Sequence, residues 1–137
     1  MNDDFLFAED DDENEVDDLG SWKVLIVDDE KEIADLLASE CEDIGMICDT
    51  AESGNSAFEK IKIGQYRFLI TDMKMPDGSG FDLIRRTREF DPDIVILVMT
   101  GYSDKKEEDL LRIGVKKIFR KPLGLMDIAS WLKDNEG

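Results

Sequence analysis

The sequence predicts an α/β domain in which five short strands alternate with five helices. Three observations support this prediction: short apolar runs recur along the chain, an amphipathic stretch follows each run, and glycine or proline often separates the two. Such an alternation favours a parallel sheet with helices packed on both faces. A length of 137 residues suits one domain with a core large enough to fold without disulfides or a structural metal.

The predicted strands are short segments rich in apolar and β-branched residues. Two of them, 23–27 (KVLIV) and 94–99 (IVILVM), are almost continuously apolar, as is typical of parallel strands buried on both faces. The other three are residues 46–50, 67–71 and 116–120.

The predicted helices carry apolar residues at helical spacing along one side. Their ranges are 30–44, 53–63, 81–90, 104–113 and 125–133. Gly45, Gly64 and Gly114 are the predicted ends of the first, second and fourth helices. The side chains expected to face the core are Ile33, Leu36, Leu37, Cys41 and Ile44 in the first helix, Ala57, Phe58 and Ile61 in the second, and Leu125, Ile128, Ala129 and Leu132 in the fifth.

The composition excludes several classes of function. With 34 acidic and 17 basic residues, the chain has a net charge of −17, so nucleic acids and anionic membranes would repel it. The absence of histidine excludes a Ser-His-Asp or Cys-His catalytic centre within the chain and a histidine-based zinc site. Cys41 and Cys48 lack metal-binding spacing and are interpreted as reduced thiols of a cytoplasmic protein. There is neither a signal peptide nor an apolar run long enough to span a bilayer.

The charge is concentrated at the amino terminus. Residues 1–20 contain ten acids and no base, a composition typical of a disordered segment, so we predict an acidic tail over residues 1–21 and a folded domain from Trp22 onwards. Phe5, Leu6 and Phe7 interrupt the acidic run. They leave two interpretations open, a short docking motif or an incidental apolar cluster in a solvating tail.

Polar residues stand at the carboxyl ends of the predicted strands. Asp28 and Asp29 follow the first strand, Asp72 the third, Thr100 the fourth and Lys121 the fifth. The carboxyl ends of parallel strands lie at one edge of the sheet, so we expect these side chains to converge. Three carboxylates repel one another unless a cation lies among them, and an all-oxygen set favours Mg²⁺. With a lysine and a hydroxyl nearby, the set suits phosphoryl transfer to a carboxylate.

Four sequence blocks resemble the receiver domain of response regulators from two-component signalling. The blocks are VLIVDDE (24–30), LITDMKMPDGSG (69–80), VMTGYSD (98–104) and KKIFRKPL (116–123). The resemblance covers residues 23 to about 134 and implies a receiver domain over residues 22–137. It also implies a flavodoxin-like (βα)5 fold, a doubly wound five-stranded parallel sheet of order 2-1-3-4-5 with helices on both faces.

The resemblance implies a role for each residue of the site. Asp72 would be the phosphoacceptor, Thr100 would bind a phosphoryl oxygen, and Lys121 would pair with the phosphate. Pro122 would adopt a cis peptide bond. The Mg²⁺ site would comprise Asp28 (acting through water), Asp29, Asp72 and the backbone carbonyl of Lys74.

The predicted function is that of a stand-alone response regulator, since only four residues follow Lys133. A sensor histidine kinase or a histidine phosphotransfer protein would donate the phosphoryl group. The domain would act on a downstream protein through its fourth helix, fifth strand and fifth helix, or serve as a phosphorelay intermediate. It would catalyse only its own phosphorylation and dephosphorylation.

Three positions depart from the family pattern or vary within it. Ile118 stands where the family usually has an aromatic residue, and Phe119 should point to the opposite face of the strand. Lys74 and Tyr102 leave two interpretations open: they border the path of the hydrolytic water, which predicts a long-lived aspartyl phosphate, or they are ordinary surface residues.

Two alternative functions stay open. One is a degenerate receiver that binds its partner without phosphorylation. The other is a Mg²⁺-dependent phosphohydrolase of the haloacid-dehalogenase type, but Lys74 occupies the position of its second acid.

On the fifth helix, Trp131 is either a residue at the rim of the core or part of a partner-binding face, with Met126 also at the edge of the inward face.

Overall fold

The structure is a computed structural model that describes residues 22–73, 75, 79–101, 107–121 and 127–135. Its strands are β1 (Lys23–Val27), β2 (Ile47–Ala51), β3 (Phe68–Asp72), β4 (Val95–Thr100) and β5 (Val115–Arg120). Its helices are α1 (Lys31–Asp43), α2 (Gly54–Gly64), α3 (Gly80–Phe90), α4 (Glu107–Arg112) and α5 (Asp127–Asp134). Among the described residues, no helix has the length and apolar character needed to span a bilayer.

The five strands form one parallel sheet in the order β2-β1-β3-β4-β5, which confirms the predicted fold and strand order. β1 lies between β2 and β3, so the strand order reverses at this point. In open α/β sheets, ligands bind at the carboxyl ends of the strands beside such a reversal. β1 and β3 therefore occupy the position from which their terminal residues reach a shared site.

The core consists of two apolar layers, one on each face of the sheet. Successive side chains of a strand point to opposite faces, so Leu25 and Val27 join the layer under α2, α3 and α4, whereas Val24 and Ile26 join the layer under α1 and α5. Every residue from Val24 to Val27 is fully buried. The continuous apolar character of β1 thus reflects burial on both faces.

Three strands extend one residue beyond their predicted carboxyl ends. β3 includes Asp72 and β4 includes Thr100, whereas both residues were expected just after their strands. The parallel ladder continues through them, because Asp72 lies opposite Met99 and Thr100 lies opposite Arg120. β2 likewise ends at Ala51. Pairing with a neighbouring strand, which the local pattern does not reveal, fixes these ends.

One prediction about the inward face of a helix is wrong, whereas the predicted end of α2 at Gly64 is confirmed. Leu36 remains 43% exposed, and Ala34 is buried in α1 instead, because the inward face follows Ala34, Leu37 and Cys41. Gly64 is the last residue of α2, and Gln65 takes the left-handed conformation with φ 55°. Gly64 is needed for space, since a Cβ atom there would lie 2.3 Å from the ring of Tyr66.

The remaining helix predictions agree with the structure where it describes them. Ala57 and Ile61 are buried in α2, with Phe58 packed against them, and Ile128, Ala129 and Leu132 are buried in α5. Gly45 and Gly114 have positive φ angles just beyond α1 and α4. Leu125, Met126 and the predicted first turn of the fourth helix lie outside the described residues.

Candidate functional site

Asp28 lies directly after β1 and is fully buried. Its backbone N–H donates a hydrogen bond to the carbonyl oxygen of Ala51 at 3.1 Å, which extends the β1–β2 ladder by one residue. Its Oδ1 atom accepts a hydrogen bond from the backbone N–H of Glu30 at 2.9 Å. Burial raises the pKa of Asp28 above the ordinary value, although this N–H and the nearby Lys121 act in the opposite direction.

Asp72 is the last residue of β3, and its backbone and side chain are both held by neighbours. Its Oδ1 atom accepts a hydrogen bond from the backbone N–H of Met73 at 2.7 Å. Its carbonyl oxygen accepts a hydrogen bond from the Oγ1 atom of Thr71 at 2.8 Å. The residue is only 8% exposed. The carboxylate of Asp72 therefore has a fixed orientation at the edge of the sheet.

Lys121 connects the two buried carboxylates. It follows β5, and its N–H donates a hydrogen bond to the carbonyl oxygen of Thr100 at 2.9 Å. Its Nζ atom lies 3.0 Å from Oδ2 of Asp72 and 3.2 Å from Oδ2 of Asp28. Burial alone would lower the pKa of Lys121, but the hydrogen bonds and charges of Asp72 and Asp28 outweigh it and raise the pKa. The lysine is thus held in its charged form.

Three carboxylates at this edge can share a cation. Asp28, Asp29 and Asp72 each offer an oxygen atom, and these atoms lie within 4.8 Å of one another. Asp29 is exposed, so the cluster opens to solvent on one side. The donor set contains only carboxylate oxygens, which fits a hard cation such as Mg²⁺.

Thr100 adds a hydroxyl group to the same edge. The residue is 4% exposed at the end of β4, and its Oγ1 atom has no hydrogen-bond partner among the described residues. A buried hydroxyl without a partner has a free-energy cost, so the Thr100 hydroxyl is available to donate to a group that enters this edge of the sheet.

The structure brings together most of the residues predicted for the site. Asp28, Asp29, Asp72, Thr100 and Lys121 meet at the carboxyl edge of the sheet, as expected from their positions after apolar strands. Lys74, Tyr102 and Pro122 lie outside the described residues.

Ile118 and Phe119 of β5 pack against opposite layers of the core, as predicted. Ile118 packs against the layer under α2, α3 and α4, and Phe119 belongs to the layer under α1 and α5. Trp131 is half-buried against that second layer. The aromatic residue beside Ile118 is therefore part of the core, on the face of the sheet that α1 and α5 cover.

Sequence reasoning missed two backbone features of the site. The N–H of Met73 holds the carboxylate of Asp72, and Gly80 allows the start of α3 to approach the same stretch of backbone. No side-chain pattern predicts a backbone donor. Gly80, which the sequence places in the loop before the third predicted helix, is the signal available for the second feature.

The fold and this edge together define an α/β domain in which carboxylates, a lysine and a hydroxyl converge at the ends of parallel strands. The family model of the response regulator receiver domain matches residues 24–133. The chain therefore belongs to the response regulator receiver domain family. Aspartate phosphorylation and Mg²⁺ binding are standard in this family, which acts in two-component signalling.

Curated relatives share this domain over very different total lengths. The response regulator receiver protein CpdR of Brucella abortus is 29% identical over 111 residues, covering 79% of this chain and 91% of CpdR. The uncharacterized transcriptional regulatory protein YesN of Bacillus subtilis is 32% identical over 117 residues, covering 82% of this chain. The chain spans 32% of YesN and 48% of the transcriptional regulatory protein CusR of Escherichia coli.

Solved structures show the same fold. A CheY-like response regulator receiver domain protein from Methanospirillum hungatei superposes with a TM-score of 0.76 at 25% identity, covering 82% of this chain and 91% of that one. The chemotaxis response regulator CheY4 of Vibrio cholerae gives a TM-score of 0.75 at 26% identity, covering 82% of this chain and 97% of CheY4.

Proposed function

We propose that the chain accepts a phosphoryl group on Asp72 and signals through protein contacts. The observation that carries this proposal is the position of Lys121 Nζ, which lies 3.0 Å from Asp72 in a cluster of three carboxylates. A lysine and a carboxylate cluster at the carboxyl ends of parallel strands suit the stabilisation of a transferring phosphoryl group. Membership of the receiver family supports phosphoryl-accepting two-component signalling.

The proposed reaction transfers the group from a phosphohistidine of another protein, because this chain contains no histidine. A carboxylate oxygen of Asp72 forms the new O–P bond as the P–N bond to the donor imidazole breaks. The leaving nitrogen keeps the electron pair of that bond and takes up a proton. The N–H of Met73 holds the carboxylate during this exchange, so little reorientation is required.

Asp28, Asp29 and Asp72 are the proposed ligands of Mg²⁺, together with the backbone carbonyl of Lys74. When bound, the ion would neutralise negative charge on the phosphoryl oxygens. Three carboxylate oxygens within 4.8 Å of one another support this assignment.

Lys121 and Thr100 would hold the product. Lys121 would exchange its contact with Asp72 for one with the phosphate, and the unpartnered hydroxyl of Thr100 would donate to a phosphoryl oxygen. The loss of a carboxylate contact and the gain of a phosphate contact would favour one conformation of the adjoining elements over another.

The face formed by α4, β5 and α5 is the proposed output surface. An ion pair between Arg120 and Glu107 joins β5 to α4, and Lys116 and Lys117 are exposed on β5. Ile118 is smaller than the aromatic residue usual at its position, so the proposed conformational response is muted. A receiver with a muted response and a slowly hydrolysed phosphate suits a phosphorelay intermediate, and both properties stay predictions.

The donor, the stand-alone organisation and the cytoplasmic location also stay predictions. A degenerate receiver would need no phosphorylation, and the unpartnered Thr100 hydroxyl favours the phosphorylated alternative. The proposal of a haloacid-dehalogenase-type phosphohydrolase has no supporting observation, because Lys74 stands in place of the second acid.

Incubation with acetyl phosphate and Mg²⁺ tests the proposed function. Intact-mass measurement should show the addition of one phosphoryl group, and Asp72→Asn should abolish the addition. Asp93→Asn is the matched control, because Asp93 is an exposed aspartate just before β4, at the opposite edge of the sheet. A phosphoryl group that still appears in Asp72→Asn, or none in the unmodified protein, would contradict the proposal.

A further inference from the structure

We propose that Gly80 is a positioning residue for the phosphoacceptor. Its missing side chain allows α3 to begin directly against the backbone of Asp72 and Met73, and this close approach fixes the carboxylate of Asp72. The inference rests on the proposed function of Asp72.

The space at Gly80 is limited by backbone atoms. A Cβ atom built at this position would lie 2.2 Å from the carbonyl oxygen of Asp72 and 2.8 Å from Cα of Met73. Distances this short are essentially never found for real Cβ atoms. Backbone atoms cannot rotate away as the end of a long side chain can. Any side chain here would therefore move either α3 or the Asp72–Met73 segment.

The same segment determines where the carboxylate of Asp72 points. The carbonyl oxygen that a Cβ atom would strike also accepts the hydrogen bond of Thr71 Oγ1 at 2.8 Å. The next N–H, from Met73, holds Oδ1 of Asp72 at 2.7 Å. A shift of this peptide unit would change the direction of the carboxylate and its 3.0 Å contact with Lys121.

Gly80 is also hydrogen-bonded to the segment it approaches. Its N–H donates to the carbonyl oxygen of Met73 at 3.1 Å, which joins the first residue of α3 to the peptide after the phosphoacceptor. α3 thus acts as a support behind Asp72. A displacement of about 1 Å at a reacting group lowers rates by about a hundredfold, so this support has chemical consequences.

The requirement at position 80 is for space. Gly80 is not among the glycines of positive φ, whereas Gly45 and Gly114 are, so its backbone conformation suits any residue. The start of α3 has its own cap, because Ser79 Oγ accepts a hydrogen bond from the N–H of Asp82 at 3.2 Å. Helix initiation alone therefore does not demand glycine here.

Gly80→Ala and Gly101→Ala form a matched pair of variants at the same edge. A Cβ atom at Gly101 would lie 3.5 Å from Cβ of Lys121, an ordinary contact. We expect Gly80→Ala to raise the Kd for Mg²⁺ and to lower the rate of phosphorylation by acetyl phosphate, each by about tenfold or more. Gly101→Ala should change neither quantity by more than about twofold.

Urea unfolding with and without Mg²⁺ separates positioning from a purely structural role. A structural role would lower the unfolding midpoint of Gly80→Ala equally in both conditions. A positioning role reduces the increase in midpoint that Mg²⁺ produces. A folded Gly80→Ala variant that keeps the Mg²⁺ affinity and phosphorylation rate of the unmodified protein would overturn the inference. Failure of the unmodified protein to accept a phosphoryl group would instead contradict the proposed function.

Amide spectra of the unmodified protein provide a measurement that does not depend on a folded variant. During a Mg²⁺ titration, the Gly80 and Met73 N–H resonances should shift with the same midpoint, because both belong to the support of Asp72. The N–H of Gly114, at the opposite edge of the sheet, should not respond. A Gly80 resonance that stays unchanged while that of Met73 shifts would overturn the inference.

Discussion

Asp28 lies where burial makes its negative charge costly. It is fully buried, and burial raises its pKa above the ordinary value of 3.8, with Asp72 adding repulsion. The positive charge of Lys121 offsets this cost of burial only in part, since Lys121 also binds Asp72. A charge that reduces stability is retained here, which is common where the charge serves a site.

Asp28→Asn should therefore stabilise the protein at neutral pH in the absence of Mg²⁺. The folded chain binds a proton at Asp28 at higher pH than the unfolded chain, so stability falls as the pH rises from 3.8 through the raised value. The advantage of Asp28→Asn should be largest at pH 7 and shrink towards about pH 4. Urea unfolding across this range, with a chelator present, measures the effect.

Added Mg²⁺ should make the unmodified protein more stable than Asp28→Asn. The ion binds the folded state through the carboxylate cluster, so it should stabilise the unmodified protein more than Asp28→Asn. Asp93→Asn, an exposed substitution, should behave like the unmodified protein throughout. A lower stability of Asp28→Asn at pH 7 without Mg²⁺ would mean that the ion pair with Lys121 outweighs the cost of burial.

The sequence predicts side chains of the site better than it predicts their partners. Asp28, Asp72 and Thr100 stand out because each follows an apolar run in a strand-like segment. The unpartnered hydroxyl of Thr100 and the N–H that holds Asp72 depend on how neighbouring strands and loops meet. The first detail is set by contacts between residues distant in sequence and the second by the backbone of the next residue, Met73, so no side-chain pattern contains either of them.

At the scale of elements, Arg88 connects three segments at the edge opposite the site. It lies in the last turn of α3, and its Nη1 atom donates to the carbonyl oxygens of Pro92 at 2.6 Å and Ile94 at 3.0 Å. Its Nη2 atom donates to the carbonyl oxygen of Gly114 at 2.9 Å. One side chain thus fastens the end of α3 to the segments that precede β4 and β5.

Arg88→Ala should lower the free energy of unfolding by about 2 kcal/mol, because it removes three hydrogen bonds from a charged donor. Arg85→Ala is the matched control: Arg85 lies one turn earlier on α3, is exposed, and stands 3.9 Å from Asp82. A solvent-exposed pair of this kind contributes less than about 0.5 kcal/mol. Urea unfolding of both variants measures the difference, and equal effects would contradict the role assigned to Arg88.

Helix ends illustrate what local patterns leave undetermined at this scale. The sequence correctly marks Gly45 and Gly114 as residues beyond helix ends, since each takes a positive φ. It also marks Gly64 as the end of α2, but it does not reveal why glycine is needed there, which is the space occupied by the Tyr66 ring. The sequence wrongly assigns Leu36 to the inward face of α1, because a shift of one position turns a residue by about 100° around the helix axis.

At the scale of the whole molecule, the charge has two separate sources. Residues 1–21 contain ten acids and no base, so residues 22–137 carry −17 − (−10) = −7. The described contacts of the domain include those of Trp22, whose ring lies 5.6 Å from that of Phe68 and whose carbonyl oxygen accepts the N–H of Ile47 at 3.0 Å. These contacts place Trp22 within the folded domain, and the boundary just before it stays a prediction.

Deletion of residues 1–21 should therefore leave the fold intact while changing its response to salt. We expect the free energy of unfolding to change by less than about 0.5 kcal/mol at physiological ionic strength. Acetyl phosphate is an anion, so loss of the acidic segment should accelerate phosphorylation at low salt, with the acceleration disappearing at about 1 M salt. Urea unfolding and intact-mass time courses at several salt concentrations measure both effects.

A full-length variant in which the ten acids of residues 1–21 are replaced by Asn and Gln distinguishes charge from chain length. It should match the deletion in its salt response, because both variants reduce the net charge to about the −7 of the domain. Loss of cooperative unfolding on deletion would show that the segment belongs to the folded domain and that the boundary at Trp22 is wrong. Phosphorylation that is accelerated in the deletion variant but not in the Asn/Gln variant would point instead to direct contact of the segment, including Phe5, Leu6 and Phe7, with the site.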